Sequence, residues 1–186
     1  MSHVERIPPL VRWTRRLEEA RVLDGPVEAV RPTITALFGS GARGALLRGD
    51  WLGHAVHPVM TDLVLGSWTS ATVLDLVGGD EARGSARTLV ATGLLAAGPT
   101  AWTGWAEWSR SGPRDQRVGL VHAATNAVAI GTYAGSWLAR HRGDHGAGAR
   151  LALAGAAVSA VGGYLGGHLA AARDVGSHHP AYDVTG

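Results

Sequence analysis

Polar and apolar positions follow two regimes along the chain. Between residues 9 and 23, Leu10, Val11, Leu17 and Ala20 recur on one side of a helix, while Arg12, Arg15, Arg16, Glu18 and Glu19 supply the other. Gly25-Pro26 predicts a break, residues 27–38 a second short helix, and the run Gly39-Ser40-Gly41-Ala42-Arg43-Gly44 a hinge. This amphipathic pair suits a membrane surface or a cover over the rest of the fold. Beyond residue 50 the alternation gives way to four apolar stretches, 56–77, 89–105, 118–138 and 151–172, each near the ~20 residues that cross a bilayer core.

Short polar connectors, 78–87, 109–117 and 139–150, carry Arg with Asp or Glu and Gly or Pro, as solvent-facing turns do. Such connectors force antiparallel neighbours. The expected fold is therefore all-α, an up-down four-helix bundle integral to the membrane with an amphipathic N-terminal region. Its expected parts are residues 1–50, the bundle 51–175 and a tail 176–186. A soluble bundle keeps a polar face, and these stretches lack one; the fourth is small or apolar all round. Trp51, Trp102, Trp105, Trp108 and Trp137 fall at the ends of the stretches, as an aromatic belt requires.

Composition narrows the chemistry. The chain is 46% hydrophobic and 17% charged with 27 Gly, and no Cys is present to form a disulfide or to ligate zinc or an iron–sulfur cluster. The net charge of +2 is too small, and its arginines too scattered, for a nucleic-acid binder. The mean hydropathy of +0.06 averages a polar first quarter with a far more apolar remainder. Arg43, Arg48, Arg110, Arg114, Arg117 and Arg173 flank one side of the expected bundle, and Arg83, Arg87, Arg140, Arg142 and Arg150 the other, so the positive-inside count barely discriminates. The charged N-terminal region, with no apolar export signal, favours an inner (plasma) membrane protein with both termini in the cytoplasm.

Ionisable groups inside a membrane cost about 2.5–3.5 kcal/mol each on insertion scales, so each asks for a reason. His57, Asp62, Asp75, His122 and His168 lie in or at the edge of the stretches. Helix rise places His57 about 14 Å, Asp62 about 7 Å, His122 about 9 Å and His168 about 10 Å from the midplane, all toward the termini, with Glu107 near 15 Å. Three helices thus bring a His to one side, and His122 with Asn126, like His168 with Tyr164, shares a face. The expected site is His57, His122 and His168, with Asp62 as a further metal ligand. Plainer roles stand beside it: His57, before Pro58, suits a headgroup-level helix start, and His122 and His168 suit hydrogen bonds across the bundle. Asp75 is expected to pair with Arg83 or Arg87. The stretch Gly162-Gly163-Tyr164-Leu165-Gly166-Gly167 holds overlapping Gly-x-x-x-Gly spacings, which let another backbone approach within the bundle or in a homodimer.

The run from Asp50-Trp51-Leu52-Gly53-His54-Ala55-Val56-His57-Pro58-Val59-Met60-Thr61-Asp62 through Gly66-Ser67-Trp68 to Asp75-Leu76 resembles the opening of the bacterial membrane family labelled domain of unknown function 2231. So do Arg117-Val118-Gly119-Leu120-Val121-His122-Ala123 through Asn126, and Gly163-Tyr164-Leu165-Gly166-Gly167-His168-Leu169; the resemblance covers about residues 45 to 175. It implies four membrane helices and no established activity. Some relatives carry a Rieske-type iron–sulfur domain after the fourth helix, which hints at electron transfer. This sequence, without Cys, has no ligands for such a cluster. Ala55 and Val64 stand where many relatives have Pro, and relatives often place His at the position of Asp62.

Three functions meet these expectations. One is a haem-b redox module with imidazoles from two helices on the iron, Arg side chains on the propionates, and a separate Rieske-type or quinone-linked partner. A second is a non-haem zinc or iron site of three imidazoles with Asp62 or Glu107. The third is a structural or transport bundle that uses the same groups as interhelical contacts or a proton relay.

Overall fold

A computed structural model of the protein describes residues 7–176. Among these residues the fold is all-helical: α1 (Pro9–Glu19), α2 (Asp24–Ile34), α3 (Gly41–Arg48), α4 (His57–Val77), α5 (Arg83–Trp108), α6 (Pro113–His141) and α7 (His145–Gly167). A π-helical turn, His168–Ala172, continues α7. Local chemistry sets the ends. Pro58 and Pro113 occupy first turns, where a missing N–H costs nothing. The Asp144 carboxylate accepts from the Ala147 N–H at 2.8 Å to cap α7. Gly49, at φ +81°, closes α3 in the left-handed conformation.

The last four helices pack in a ring, α4 on α5, α5 on α6, α6 on α7 and α7 back on α4, which leaves α4 and α6 on a diagonal. Val64, Trp68, Ala71, Val90, Ala96, Ala97, Tyr133 and Ala152 form the core between them. Among the described residues one helix, α7 with its continuation (His145–Ala172), is long and apolar enough to cross a membrane by length and composition.

The N-terminal region differs from its sequence pattern. α1 stops at Glu19, a 3₁₀ turn (Arg21–Leu23) follows, and Gly25-Pro26 sits in the first turn of α2, where Pro is tolerated, rather than breaking a helix. The expected hinge narrows to Ser40, in an extended conformation between a π-helical turn (Thr35–Gly39) and α3. The connectors shrink to residues 78–82, 109–112 and 142–144, because first and last turns extend the helices into the charged segments.

This region is clasped to the bundle. Arg117 donates from Nε and Nη2 to Asp24 at 2.6 and 3.0 Å, and from Nη1 to the Glu18 carbonyl at 2.7 Å. The Asp24 carboxyl is held below its usual range, first by that hydrogen bond. Trp13 stacks on Tyr164 with ring centres 5.9 Å apart. The amphipathic helix therefore lies against α6 and α7 at this end of the bundle.

The two hairpins, α4–α5 and α6–α7, repeat one another. At one constant offset His57, Gly66, Ser67 and Trp68 fall onto His122, Gly131, Thr132 and Tyr133. At a slightly smaller one Gly84, Leu89, Gly93 and Gly104 fall onto Gly146, Leu151, Gly155 and Gly166. The packing repeats as well: a Cβ at Gly93 would land on the Trp68 indole, and one at Gly155 on the Tyr133 ring. Related residues meet in layers between the diagonal helices. His57 lies edge-on to His122 with ring centres 6.5 Å apart, Trp68 stacks on Tyr133 at 3.9 Å, and Asp75 pairs with Arg140. These three partnerships lie on a pseudo-two-fold axis running along the bundle.

Asp75 thus bonds neither Arg83 nor Arg87. Both its oxygens accept from Arg140, whose side chain is 1% exposed and also donates from Nε to Ser136 Oγ at 3.2 Å. Arg83 instead pairs with Asp80. The reason is phase: Asp75 comes about five full helical turns after His57, so it falls on the same face of α4, toward the axis.

Candidate functional site

His57 and His122 form the centre of the site. His57 Nδ1–H donates to the Thr100 carbonyl at 2.9 Å, with Thr103 Oγ1 at 3.1 Å. His122 Nδ1–H donates to the Gly162 carbonyl at 2.8 Å. Each imidazole is thereby fixed as the tautomer whose Nε2 carries a lone pair, and each is oriented by a backbone carbonyl, as metal-bound imidazoles commonly are. In each hairpin a glycine one turn beyond that carbonyl gives the ring its space. A Cβ at Gly104 would lie 2.8 Å from His57 Cε1, and one at Gly166 would lie 2.9 Å from His122 Cε1.

The halves differ at the fourth residue after each His. Asn126 donates from Nδ2 to His122 Nε2 at 3.0 Å. Its counterpart Thr61 turns its hydroxyl to the His57 carbonyl at 2.9 Å, which leaves the His57 Nε2 lone pair with no partner among the described residues.

Space opens on both sides of the pair. A mainly apolar cavity of ≈ 240 Å³ lies toward the chain termini, lined by His57, Gly104, Glu107, His122, Asn126 and Gly166 among others. A smaller one of ≈ 80 Å³ lies deeper, against Trp68, Thr100 and Ser159, and shares His57, Ala101, His122, Asn126 and Ile130 with the first. Ser159 Oγ is buried without a hydrogen-bond partner among the described residues. Glu107, just past the apolar stretch that ends at 105, has its carboxyl pushed up to about 7, chiefly by burial, against the opposing pull of Arg48.

The other two residues expected in the site are elsewhere. His168 meets Glu18 of α1, Nε2 to Oε1 at 2.8 Å, and helps hold the N-terminal region. It has the right level and the wrong phase: two residues beyond Gly166, it points about 200° round the helix from the face presented to His122. Asp62 is exposed, on the outer flank of α4 about 140° from His57. The four-residue metal set His57, Asp62, His122 and His168 therefore does not assemble, and among the described residues no group of three or more His, Asp or Glu is placed to hold a metal ion. Trp68, Tyr133 and Arg140 stand on the axis without belonging to the expected site. The signal that marks them is an aromatic about three turns, and a charge about five turns, after each His on one helical stripe.

Gly162-Gly167 divides by face. Gly162 and Gly166 admit Asn126 and His122 of α6, whereas a Cβ at Gly163 or Gly167 meets open space. No family model matches the sequence, and among curated proteins and solved structures none is significantly similar to it.

Proposed function

We propose that the protein is a multi-pass membrane redox module that binds one haem b between His57 and His122. The observation that carries this reading is the pair itself. Two imidazoles on diagonal helices, each oriented through Nδ1 by a carbonyl, have ring centres 6.5 Å apart. Two imidazoles sharing one metal ion through nitrogens about 2 Å from it hold their ring centres roughly 6 Å apart. What supports a flat ligand here is that cavities of ≈ 240 and ≈ 80 Å³ adjoin the pair, that Gly104 and Gly166 line the larger one, and that Ser159 Oγ, at the smaller, lacks a partner among the described residues. Haem would supply one-electron chemistry at its iron, with potential set by ligand identity, burial and hydrogen bonds to the ligands. His57 offers an Nε2 that has no partner among the described residues, and His122 offers the lone pair now lent to Asn126.

Four spanning helices are part of the same proposal. Large apolar side chains are exposed on every long helix: Val59 and Leu76 on α4, Leu95 on α5, Val128 on α6, Val161 on α7, with Leu95 80% exposed. Soluble proteins seldom expose apolar surface so widely, whereas lipid requires it. The His57 and Asp75 layers lie about 27 Å apart along the axis, close to the ~30 Å thickness of a hydrocarbon core. We place the termini in the cytoplasm. A Rieske-type or quinone-linked electron partner, and the relation to domain of unknown function 2231, rest on the sequence motifs alone.

The test is the absorption spectrum of protein purified in detergent from cells supplied with a haem precursor. A Soret band lost in His57→Ala and in His122→Ala, and kept in His168→Ala, supports the assignment. A colourless wild type that takes up no added haem overturns it and leaves the His pair as an interhelical contact.

A further inference from the structure

At the clasped end of the bundle lies a second, polar cavity of ≈ 540 Å³, lined by Glu19, Arg21, Gly112, Pro113, Arg114, Asp115, Arg117 and Arg173. Four of its eight lining residues are arginines, brought together from three places: the 3₁₀ turn after α1, the first turns of α6 and the residue after the π-turn. Their donors are not all committed. Arg117 is spent on Asp24 and the Glu18 carbonyl. Arg173 uses Nε on Asp115 at 2.7 Å and lies 3.9 Å from Glu18, which leaves both its terminal nitrogens without partners among the described residues. Among the described residues Arg21 and Arg114 have no ion-pair partner and Glu19 lines the cavity unpaired beside them, while Asp24, which also feels Arg21, and Asp115 are already paired with Arg117 and Arg173.

The start of α6 adds to this field. Gly112 precedes a 29-residue helix with no side-chain cap, so the N–H groups after Pro113 and the positive end of the dipole lie where Gly112, Pro113, Arg114 and Asp115 line the same cavity, with Asp115 in the first turn as partial counter-charge. Arg guanidinium forks with free N–H groups are matched by the tetrahedral oxygens of phosphate. The cavity is far larger than the ~10–15 Å³ that admits one water molecule. Its floor, Arg117, directly precedes the apolar stretch that begins at 118.

We propose that this cavity binds a phosphate-bearing anion through Arg21, Arg114 and Arg173. Two sources carry that chemistry, the headgroup of an anionic phospholipid and a free phosphate in solution. A basic pocket between helices at the cytoplasmic end of a bundle is a known setting for such headgroups. The inference stands apart from haem, because none of the three arginines touches the His pair.

Native mass spectrometry of the full chain, released from micelles containing phosphatidylglycerol or phosphatidylcholine, tests it. The expected result is at least tenfold preferential retention of phosphatidylglycerol, abolished in the double variant Arg21→Gln, Arg114→Gln. Arg87→Gln, an exposed arginine at the opposite end, should retain the preference, and Arg21→Lys with Arg114→Lys should keep part of it, which separates charge from misfolding. Calorimetric titration with inorganic phosphate is the second arm. Phosphate binding that the Gln double variant loses, without any phosphatidylglycerol preference, supports the site with a soluble ligand. Equal retention of both lipids with no phosphate binding overturns the proposal, as does a preference that survives the Gln double variant.

Discussion

The Trp68 indole stacks on the Tyr133 phenol with ring centres 3.9 Å apart and planes 16° from parallel, although the two belong to different hairpins. Each ring lies against a glycine of its own hairpin, Gly93 or Gly155. A Cβ at Gly155 would sit 2.8 Å from Tyr133 Cε2, with no flexible end able to give way. Gly155→Val should therefore lose about 1–3 kcal/mol by overpacking. Gly98→Ala and Gly131→Ala, where a Cβ meets nothing within 4 Å, should be neutral or gain up to about 1 kcal/mol from helix propensity. Unfolding in a fixed detergent measures all three.

Asp75 and Arg140 should behave as one unit. Removing one partner of a buried ion pair strands the other charge, at about 3–5 kcal/mol. Arg140→Met and Asp75→Leu should each destabilise on that scale, and the double substitution should recover most of the loss. Because the positions are related by the pseudo-two-fold axis, the exchange Asp75→Arg with Arg140→Asp should also recover stability relative to either half of the exchange. A double variant no better than the worse single one would show that the pair does not act as a unit.

Glu107 sets a pH dependence. An unfolded Glu ionises near its ordinary value of about 4.3, while burial holds the folded carboxyl at about 7. Between these values the native state holds more protons than the unfolded state, so this contribution to stability falls as pH rises. It is complete below pH about 4.3 and lost above about 7. The difference between wild type and Glu107→Gln isolates it: melting temperatures taken from pH 4.5 to 8 should decline more steeply for the wild type.

The glycines of α7 should separate by face. Gly166→Leu crowds His122 and should destabilise the fold, whereas Gly163→Leu and Gly167→Leu should leave it intact, since both positions are open. If a homodimer uses this helix, only the latter two will change its size in cross-linking or mass photometry.

Topology is tested by reporters placed after Gly79, Gly112 and Gly143, which stand in the three short turns. They should alternate across the membrane; two consecutive positions on one side would exclude the four-span reading.

The hydrophobic stretches made the four long helices legible from sequence, since 56–77 lies within one residue of α4 at either end. Their ends elsewhere were less so, because charged first and last turns look like connectors. In the site, the approach of His57 and His122 to one level could be read from helix rise. Membership turned on phase, which excluded Asp62 and His168 by about 140° and 200° respectively. The repeat was present too, as Gly66-Ser67-Trp68 against Gly131-Thr132-Tyr133. It was obscured because few residues are identical and because the turn after α4, residues 78–82, is longer than that after α6, residues 142–144, so no single offset aligns both helices of the hairpins. The N-terminal docking was illegible, because Arg117 and Asp24 are 93 residues apart with no local pattern between them.

The unlike partners at positions 75 and 140 bear on how such a molecule is built. Two identical hairpins associating as separate chains would place Asp against Asp, or Arg against Arg, at this layer, and neither arrangement is tolerable in a dry interior. Covalent linkage of the halves lifts that restriction, since each copy then mutates on its own. The layer holding His57 and His122 has matching residues, while the layer holding Asp75 and Arg140 has opposite charges. Joining the hairpins in one gene thus allows one end of the axis to remain symmetric while the other becomes polar, a division of labour closed to any homodimer of the single unit.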